Sequence, residues 1–517
     1  MAQGSGTRDG YRAAAAGLAA VTFGAGLGEL SAALFLPAAS PFAVIGGALI
    51  DIAPSWAKDL AIALFDTFDK AALLIGIAVV LAAIAGAAGL LERRRAGAGA
   101  VIVGAIGVVG AAIAMTRTGA GAFSWAPSAV AGAAAIVALR MLIRRLRPDP
   151  ALAAPVGGES RPIDRRRFLI WTAAAGAVGV VALVAANVAH GASRSIEAIR
   201  KALRLPTAAE RAAPIPAGAE LDIPGLAPLV TPNRDFYRID TALVVPQVDP
   251  AEWSLRIHGM VDRELVITWD ELLALPMQEA DVTLACVSND VGGSLIGNAR
   301  WLGHPLRELL ARAGVADDAD MVLSTSVDGF TASTPLEVLT DERDSLLAIG
   351  MNGEPLPVVH GFPVRMVVPG LYGYVSATKW VTQLEVTRFD RVDAYWTTRG
   401  WDARGPIKLQ SRIDVPRRGR QIDPGETMIA GMAWQQHVGV RGVEVRVDGG
   451  SWMTADLATA ISDDTWVQWS VPWTAESGDH QIECRAISAT GDTQTSNRTP
   501  PAPNGAEGWH RISVSVA

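Results

Sequence analysis

The chain has 517 residues, of which 50% are hydrophobic and only 19% charged, and its mean hydropathy is positive at +0.26. A soluble protein is usually about 25% charged, so this composition excludes a mostly disordered chain, and two cysteines exclude a disulfide scaffold and a Cys-rich zinc or iron–sulfur protein. The net charge of −7 divides unevenly: up to Glu220 there are 21 Lys+Arg against 13 Asp+Glu, and from Leu221 onward 24 against 39, so the second part is acidic and offers no basic surface for nucleic acid.

Five apolar segments reach the roughly 20 residues a bilayer crossing needs. They lie near Ala13–Leu36, Ala71–Leu91, Gly97–Met115, Phe123–Ile143 and Phe168–Ala189. Runs such as LLIGIAVVLAAIAGAAGLL have no polar face, which argues against buried helices of a soluble domain. Their Ala and Gly content suits close helix packing in lipid. Residues 1–160 are read as a membrane domain with four transmembrane helices, and 161–192 as a fifth. Basic clusters sit at Arg8 and Arg12, at Arg93–Arg95, at Arg140–Arg147 and at Arg165–Arg167. The positive-inside rule places these ends in the cytoplasm, and everything after the fifth helix on the extracytoplasmic side of the cell membrane. The external loop Pro37–Lys70 includes a candidate interfacial helix, Ala57–Phe68. Glu29, inside the first span, is read as a helix contact or part of a polar path. No histidine precedes His190, and a membrane haem usually needs axial His ligands, so no haem is expected. Asp164-Arg165-Arg166-Arg167-Phe168-Leu169 looks like a twin-arginine export signal.

Residues 193–220 read as a linker with a juxtamembrane helix and a Pro-rich tether. Strands and short helices follow in an α+β pattern: Trp253–Ile257, a turn at His258–Asp262, Leu265–Thr268, a helix from Trp269 with Asp270 as cap, and a helix at Leu306–Ala313. From about Pro406, short strands at Val443–Val447, Trp466–Val471 and His480–Ile487 recur at regular spacing with Gly-containing turns, which predicts an immunoglobulin-like β-sandwich over 406–517.

Cys286 ends an apolar alternating strand, Val282-Thr283-Leu284-Ala285-Cys286, where a polar turn begins. A thiolate there is a soft metal ligand held at a strand end; a buried core Cys, or a disulfide to Cys484, is the alternative. Further on, His360 and Arg365 stand five apart among Gly and Pro turns in VVHGFPVRMVVPG, followed by Lys379-Trp380. Arg presents a planar fork to a phosphate and Lys a point charge. The remaining histidines, His258, His304, His437, His480 and His510, show no metal spacing.

Taken in order, TLACVSN, GNARWLGHPL, EPLPVVHGFPVRMVVPG and TKW resemble the sulfite oxidase family of molybdenum enzymes, over roughly Ile223 to the C-terminus. The resemblance implies a molybdopterin-binding oxidoreductase domain at 221–405 and a dimerisation domain at 406–517. It implies one pterin, with molybdenum bound by Cys286. Asn233, Phe236, Tyr237, Asp328, His360, Arg365, Ser376, Thr378 and Lys379 match cofactor-binding positions, and Trp301 and Arg238 join Cys286 as catalytic-site candidates. Two features depart from the family. Val287-Ser288-Asn289-Asp290 follows the Cys where sulfite oxidases carry an Asn-Arg-Arg stretch, and Gly373-Tyr374-Val375-Ser376-Ala377-Thr378 replaces a Gly-Ala-Arg. Two arginines for a sulfite dianion are thus missing, and Asp290 would repel one. The expectation is a membrane-anchored molybdenum oxidoreductase that transfers an oxygen atom to or from a small sulfur-containing or related compound, with the missing arginines disfavouring sulfite. Its electrons pass to or from a quinone or a membrane redox protein. A non-catalytic membrane-anchored receptor on the same fold is the alternative, and a transporter is ranked last.

Overall fold

The structure is a computed structural model, and it describes residues 3–36, 39–52, 69–117, 120–146, 165–190, 194–242 and 245–517. The chain divides into two compact units, Met1–Ser195 with Ala242–Val245, and Ile196–Thr241 with Pro246–Ala517.

The first unit is helical: α1 (Gln3–Phe35), α2 (Pro41–Ile52), α3 (Asp69–Arg94), α4 (Ala98–Thr116), α5 (Ala126–Arg144) and α6 (Arg165–His190). Five stretches, Asp9–Phe35, Gly76–Arg94, Ala98–Thr116, Ala126–Arg144 and Arg166–Ala186, are long and apolar enough to cross a membrane. Small residues let α1 lie close to three neighbours, as helix association without a hydrophobic driving force requires. A Cβ placed on Gly17 would come 2.0 Å from the Ala85 carbonyl oxygen of α3, and one on Gly26 2.3 Å from that of Gly179 on α6. Among the described residues of this unit two carboxylates are buried, and both satisfy helix starts. Glu29 accepts from Ser40 Oγ at 2.8 Å and from the Phe42 amide at 2.8 Å, holding the entry to α2. Glu92 accepts from the Gly97 and Ala100 amides, both at 2.9 Å, at the N-terminus of α4. The helix-contact reading of Glu29 therefore describes its surroundings. The candidate helix Ala57–Phe68 lies outside the described residues, and so does Asp164 at the head of the arginine motif.

The second unit begins with α7 (Arg194–Ala202), whose Ile196 is buried and whose Arg200 Nη1 donates to the Pro355 carbonyl at 2.9 Å. The tether that follows is not free. Glu210 bridges to Gln278, Ala219 is fully buried, and the Leu221 amide donates to Gln468 Oε1 at 2.6 Å. Its prolines set an extended path, as expected, but each turn of that path finds a partner on the body behind it.

Ten strands build two sheets. β1 (Ser254–Gly259), β2 (Leu265–Thr268), β3 (Gln278–Ala285), β4 (Ile296–Pro305), β5 (Met321–Ser326), β6 (Thr331–Pro335), β7 (Leu346–Met351), β8 (Glu354–Pro355), β9 (Arg365–Val367) and β10 (Val381–Thr387) follow in chain order. One sheet runs β3-β4-β7-β8 with β9 also on β7, and the other β2-β1-β10-β5-β6, in which β1 and β10 are parallel. β3 and β4 are buried almost throughout, which explains their apolar content on both faces. The helix after β2 is capped by Thr268 rather than Asp270. Thr268 and Glu271 form a reciprocal capping box, which satisfies two orphan amides where Asp270 would satisfy one.

The last hundred residues hold two further sheets. β11 (Gln410–Val415), β12 (Gln421–Ile422), β13 (Gly425–Trp434), β14 (Val440–Val447), β15 (Met453–Thr454), β16 (Asp456–Leu457), β17 (Val467–Ala475), β18 (Gly478–Ser488) and β19 (His510–Val516) arrange as β11-β13-β17-β16 and β12-β19-β18-β14-β15. Ile429, Trp469, Val445 and Ile512 belong to one apolar core shared by both sheets. Cys484 lies in that core and Cys286 elsewhere; both are free thiols, so the disulfide alternative does not describe this chain. Along the first sheet of this half, β3 is bound from outside its own sheet. The Thr283 amide donates to the Asp464 carbonyl at 3.0 Å, Thr283 Oγ1 accepts from the Trp466 amide at 2.9 Å, and Gln436 Nε2 donates to the Thr283 carbonyl at 3.1 Å.

Candidate active site

β3 delivers Cys286 to the wall of a cavity of about 130 Å³. Cys286 closes the turn by accepting from the Asn289 amide at 3.1 Å, and its own amide donates to the Leu295 carbonyl at 2.9 Å. Burial pushes its thiol pKa up, with bonds from Ser288 opposing the shift. The loop behind it is braced. Arg412 Nη1 donates to the Gly293 carbonyl at 2.9 Å, and the His510 ring lies against Gly292, where a Cβ would come within 2.2 Å.

The second segment supplies the cations. Arg365 is buried, and it donates only to carbonyls: His360 at 3.1 Å, Met366 at 3.3 Å and Ala377 at 3.4 Å. No carboxylate pairs with it among the described residues. Its guanidinium lies 5.0 Å from the Trp301 ring centroid. Burial without a counter-charge pushes its pKa down to about 10. Lys379 Nζ, also buried, meets Asp240 at 2.6 Å and the Val359 carbonyl at 3.2 Å; burial pushes it down to about 8 against the pull of Asp240. Burial and the neighbouring Arg365 and Lys379 push His360 down to about 4, so it is neutral at pH 7. Its Nε2 lies 3.0 Å from the Asn233 carbonyl, an acceptor only, so Nε2 carries the proton and Nδ1 is left as an acceptor.

Of the residues predicted from sequence, Phe236, Tyr237, Cys286, Asp328, His360, Arg365 and Lys379 line this cavity. The others stand behind it or beside it. Asn233 Nδ2 donates to Glu354 Oε1 at 2.6 Å, and its carbonyl orients His360. Ser376 Oγ donates back to the Tyr372 carbonyl at 3.0 Å, and Thr378 Oγ1 bonds Ser324 Oγ at 2.7 Å. Trp301 is fully buried with Nε1 on the Val282 carbonyl at 3.1 Å, so the structure places it under Arg365 and not on the cavity lining. β4 is buried on both faces, so alternation does not turn this indole toward a ligand. Arg238 is held by Asp240 at 2.9 Å and is off the wall. Asp290, expected to face a substrate, is exposed and off the wall as well.

Sequence reading missed Asp240, Ser326 and an aromatic wall of Phe330, Tyr374, Trp396 and Trp401. Ser326 Oγ is buried on the lining with no hydrogen-bond partner. An orphaned hydroxyl and a buried guanidinium without a counter-charge, both on one lining, cost free energy unless a ligand answers them. Together with a free thiol on the same wall, this donor set fits an anionic, metal-bearing cofactor: a soft ligand for the metal and cationic and hydroxyl donors for a phosphate.

Comparison with known proteins points the same way. Residues 242–396 match the oxidoreductase molybdopterin binding domain. Mitochondrial sulfite oxidase of Mus musculus is 32% identical over 340 residues, 56% of this chain and 62% of that protein. The chain thus spans less than two thirds of that relative's length. Sulfite oxidase of Gallus gallus is 30% identical over 52% of this chain and 69% of its own. The uncharacterized oxidoreductase YuiH of Bacillus subtilis is 33% identical over 34% of this chain and 87% of its own. The solved sulfane dehydrogenase SoxCD from Paracoccus pantotrophus superposes with a TM-score of 0.50 at 24% identity, over 56% of this chain and 81% of that one, a likeness of fold.

Proposed function

Because the chain belongs to the sulfite oxidase family of molybdopterin-binding oxidoreductases, we propose that it is a membrane-anchored enzyme that moves an oxygen atom on or off a small sulfur compound. The observation that carries this reading is the free, buried Cys286 thiol on one cavity wall with the unpaired Arg365 and the orphaned Ser326 hydroxyl. When bound, the molybdenum–pterin group supplies two-electron oxygen-atom exchange with water, and the protein orients it and sets its field. Cys286 would hold the metal. Arg365, Lys379 and Ser326 would hold the pterin's phosphate-bearing part, and neutral His360, aligned by Asn233, would present Nδ1 as an acceptor. Asp328, Phe236 and Tyr237 would contact the same group, with Ser376 and Thr378 fixing the turn that carries Lys379. Trp301 would act through Arg365.

In the overall balance, the sulfur centre gains the oxygen of one water and releases two protons and two electrons, or the reverse. The two electrons pass to or from a carrier, either a quinone or a membrane redox protein. Five bilayer-length helices support anchoring. The alternation of basic loops supports placing 221–405 and 406–517 outside the cytoplasm, and the motif opening α6 supports twin-arginine export. The two-sheet half at 406–517 is read as immunoglobulin-like, with homodimerisation as its role. The deciding experiment is elemental mass spectrometry of protein made in cofactor-producing cells, wild type against Cys286→Ser. About one molybdenum per chain in the wild type, lost together with activity on substitution, is the expected result. A folded wild type without molybdenum would sink the reading.

A further inference from the structure

The cavity wall also says what it would reject. Its charged side chains are Arg365 and Lys379 against Asp240 and Asp328, so the two signs cancel. Lys379 is already committed to Asp240. Arg365 is the lone arginine on the lining among the described residues, and a phosphate-bearing cofactor would claim it. Arg238, off the lining, is bonded to Asp240 as well, so no cation on the lining is then left for a dianion, and Asp328 is exposed. One part of the wall is aromatic, and its rings connect through Tyr395 behind it. Tyr374 lies 5.9 Å from Trp401, Trp401 6.0 Å from Trp396, Trp396 5.2 Å from Tyr395, and Tyr395 5.8 Å from Phe330. Tyr374 is fixed by its hydroxyl on the Asp402 carbonyl at 2.6 Å, so the hydroxyl is turned to the protein and the ring remains. Ile239, also on the lining, and Val327, next to Asp328 in the chain, expose 50% and 44% of their surface.

Resting on the oxidoreductase reading above, we infer that the substrate is an organic sulfur compound, thioether or sulfoxide, with an apolar group and no net negative charge. That group lies on Trp396 and Trp401, where an aromatic face attracts apolar or cationic surface and repels anions.

Calorimetric titration of the molybdenum-loaded full chain in detergent tests this, with methyl p-tolyl sulfoxide and sulfite as the two probes and molybdenum content measured on the same samples. The sulfoxide is expected to bind at least about tenfold tighter than sulfite, with an affinity that does not change with salt. Trp396→Ala and Trp401→Ala are each expected to weaken sulfoxide binding about tenfold or more at unchanged molybdenum content. Loaded wild type that prefers sulfite, with affinity falling as salt rises, overturns this inference alone and needs no variant. Loaded variants that bind the sulfoxide like wild type overturn it too. Folded protein without molybdenum overturns the oxidoreductase reading instead.

Discussion

His510, whose ring lies against Gly292 in the loop behind Cys286, should make the stability of the fold depend on pH. The Ile413 amide of β11 donates to His510 Nδ1 at 2.9 Å, so that nitrogen must keep a lone pair. Burial and the nearby Arg412 push the imidazole down to about 4. Unfolded, it titrates near 6.5, so between these values the unfolded chain binds the extra proton and stability falls with pH. At pH 5 the loss is about 2 kcal/mol, and below pH 4 it approaches about 3 kcal/mol. His510→Asn keeps an acceptor near the same place without a titrating proton. Guanidinium unfolding of the detergent-solubilised chain, followed by tryptophan fluorescence at pH 7.5 and pH 5, should show the wild type losing about 2 kcal/mol more than the variant. His360 also sits near 4 and is present in both proteins, so the difference reports His510 alone. Equal acid slopes for the two proteins would refute the reasoning.

Other outcomes are specific. Gly292→Ala puts a Cβ 2.2 Å from the His510 ring at a φ of +79°, and should cost about 1–3 kcal/mol in the same unfolding assay. Arg365→Met removes the unpaired guanidinium and should lower molybdenum content at least about tenfold, read by elemental analysis, while circular dichroism stays unchanged. Glu483, buried between Arg446 Nε at 2.6 Å and Arg511 Nε at 2.7 Å, should cost about 1–3 kcal/mol as Glu483→Gln, tempered by the half-exposed Arg511. Gly17→Leu forces α1 off α3 and should lower the melting temperature of the first unit in detergent.

What was legible in the sequence follows from which forces act locally. Apolar length alone locates five helices long enough to cross a membrane. Cys286, His360, Arg365 and Lys379 stand out because turns and strand ends announce where a side chain leaves the core. Where Trp301 points is not legible, because a strand buried on both faces carries no alternation to say which way an indole turns, and the fold sets it behind the wall. Asp240 and Ser326 were invisible. Asp240 lies in an irregular segment and Ser326 at the end of β5, both ordinary polar residues, and only the fold brings one to Lys379 and leaves the other without a partner. Trp396 and Trp401 carry no signal beyond being aromatic.

The bonds from Asp464, Trp466 and Gln436 onto Thr283 bear on modularity. Thr283 sits three residues before Cys286, and all of its polar groups named here are satisfied from beyond residue 406. Cutting the chain at that composition boundary would leave β3 paired with β4 but remove these bonds from the strand that ends at Cys286, and so leave buried polar atoms bare. The boundary that separates two sheets is therefore not a seam between two independently folding pieces, and a transplanted or truncated version must carry both halves to keep its thiol in place.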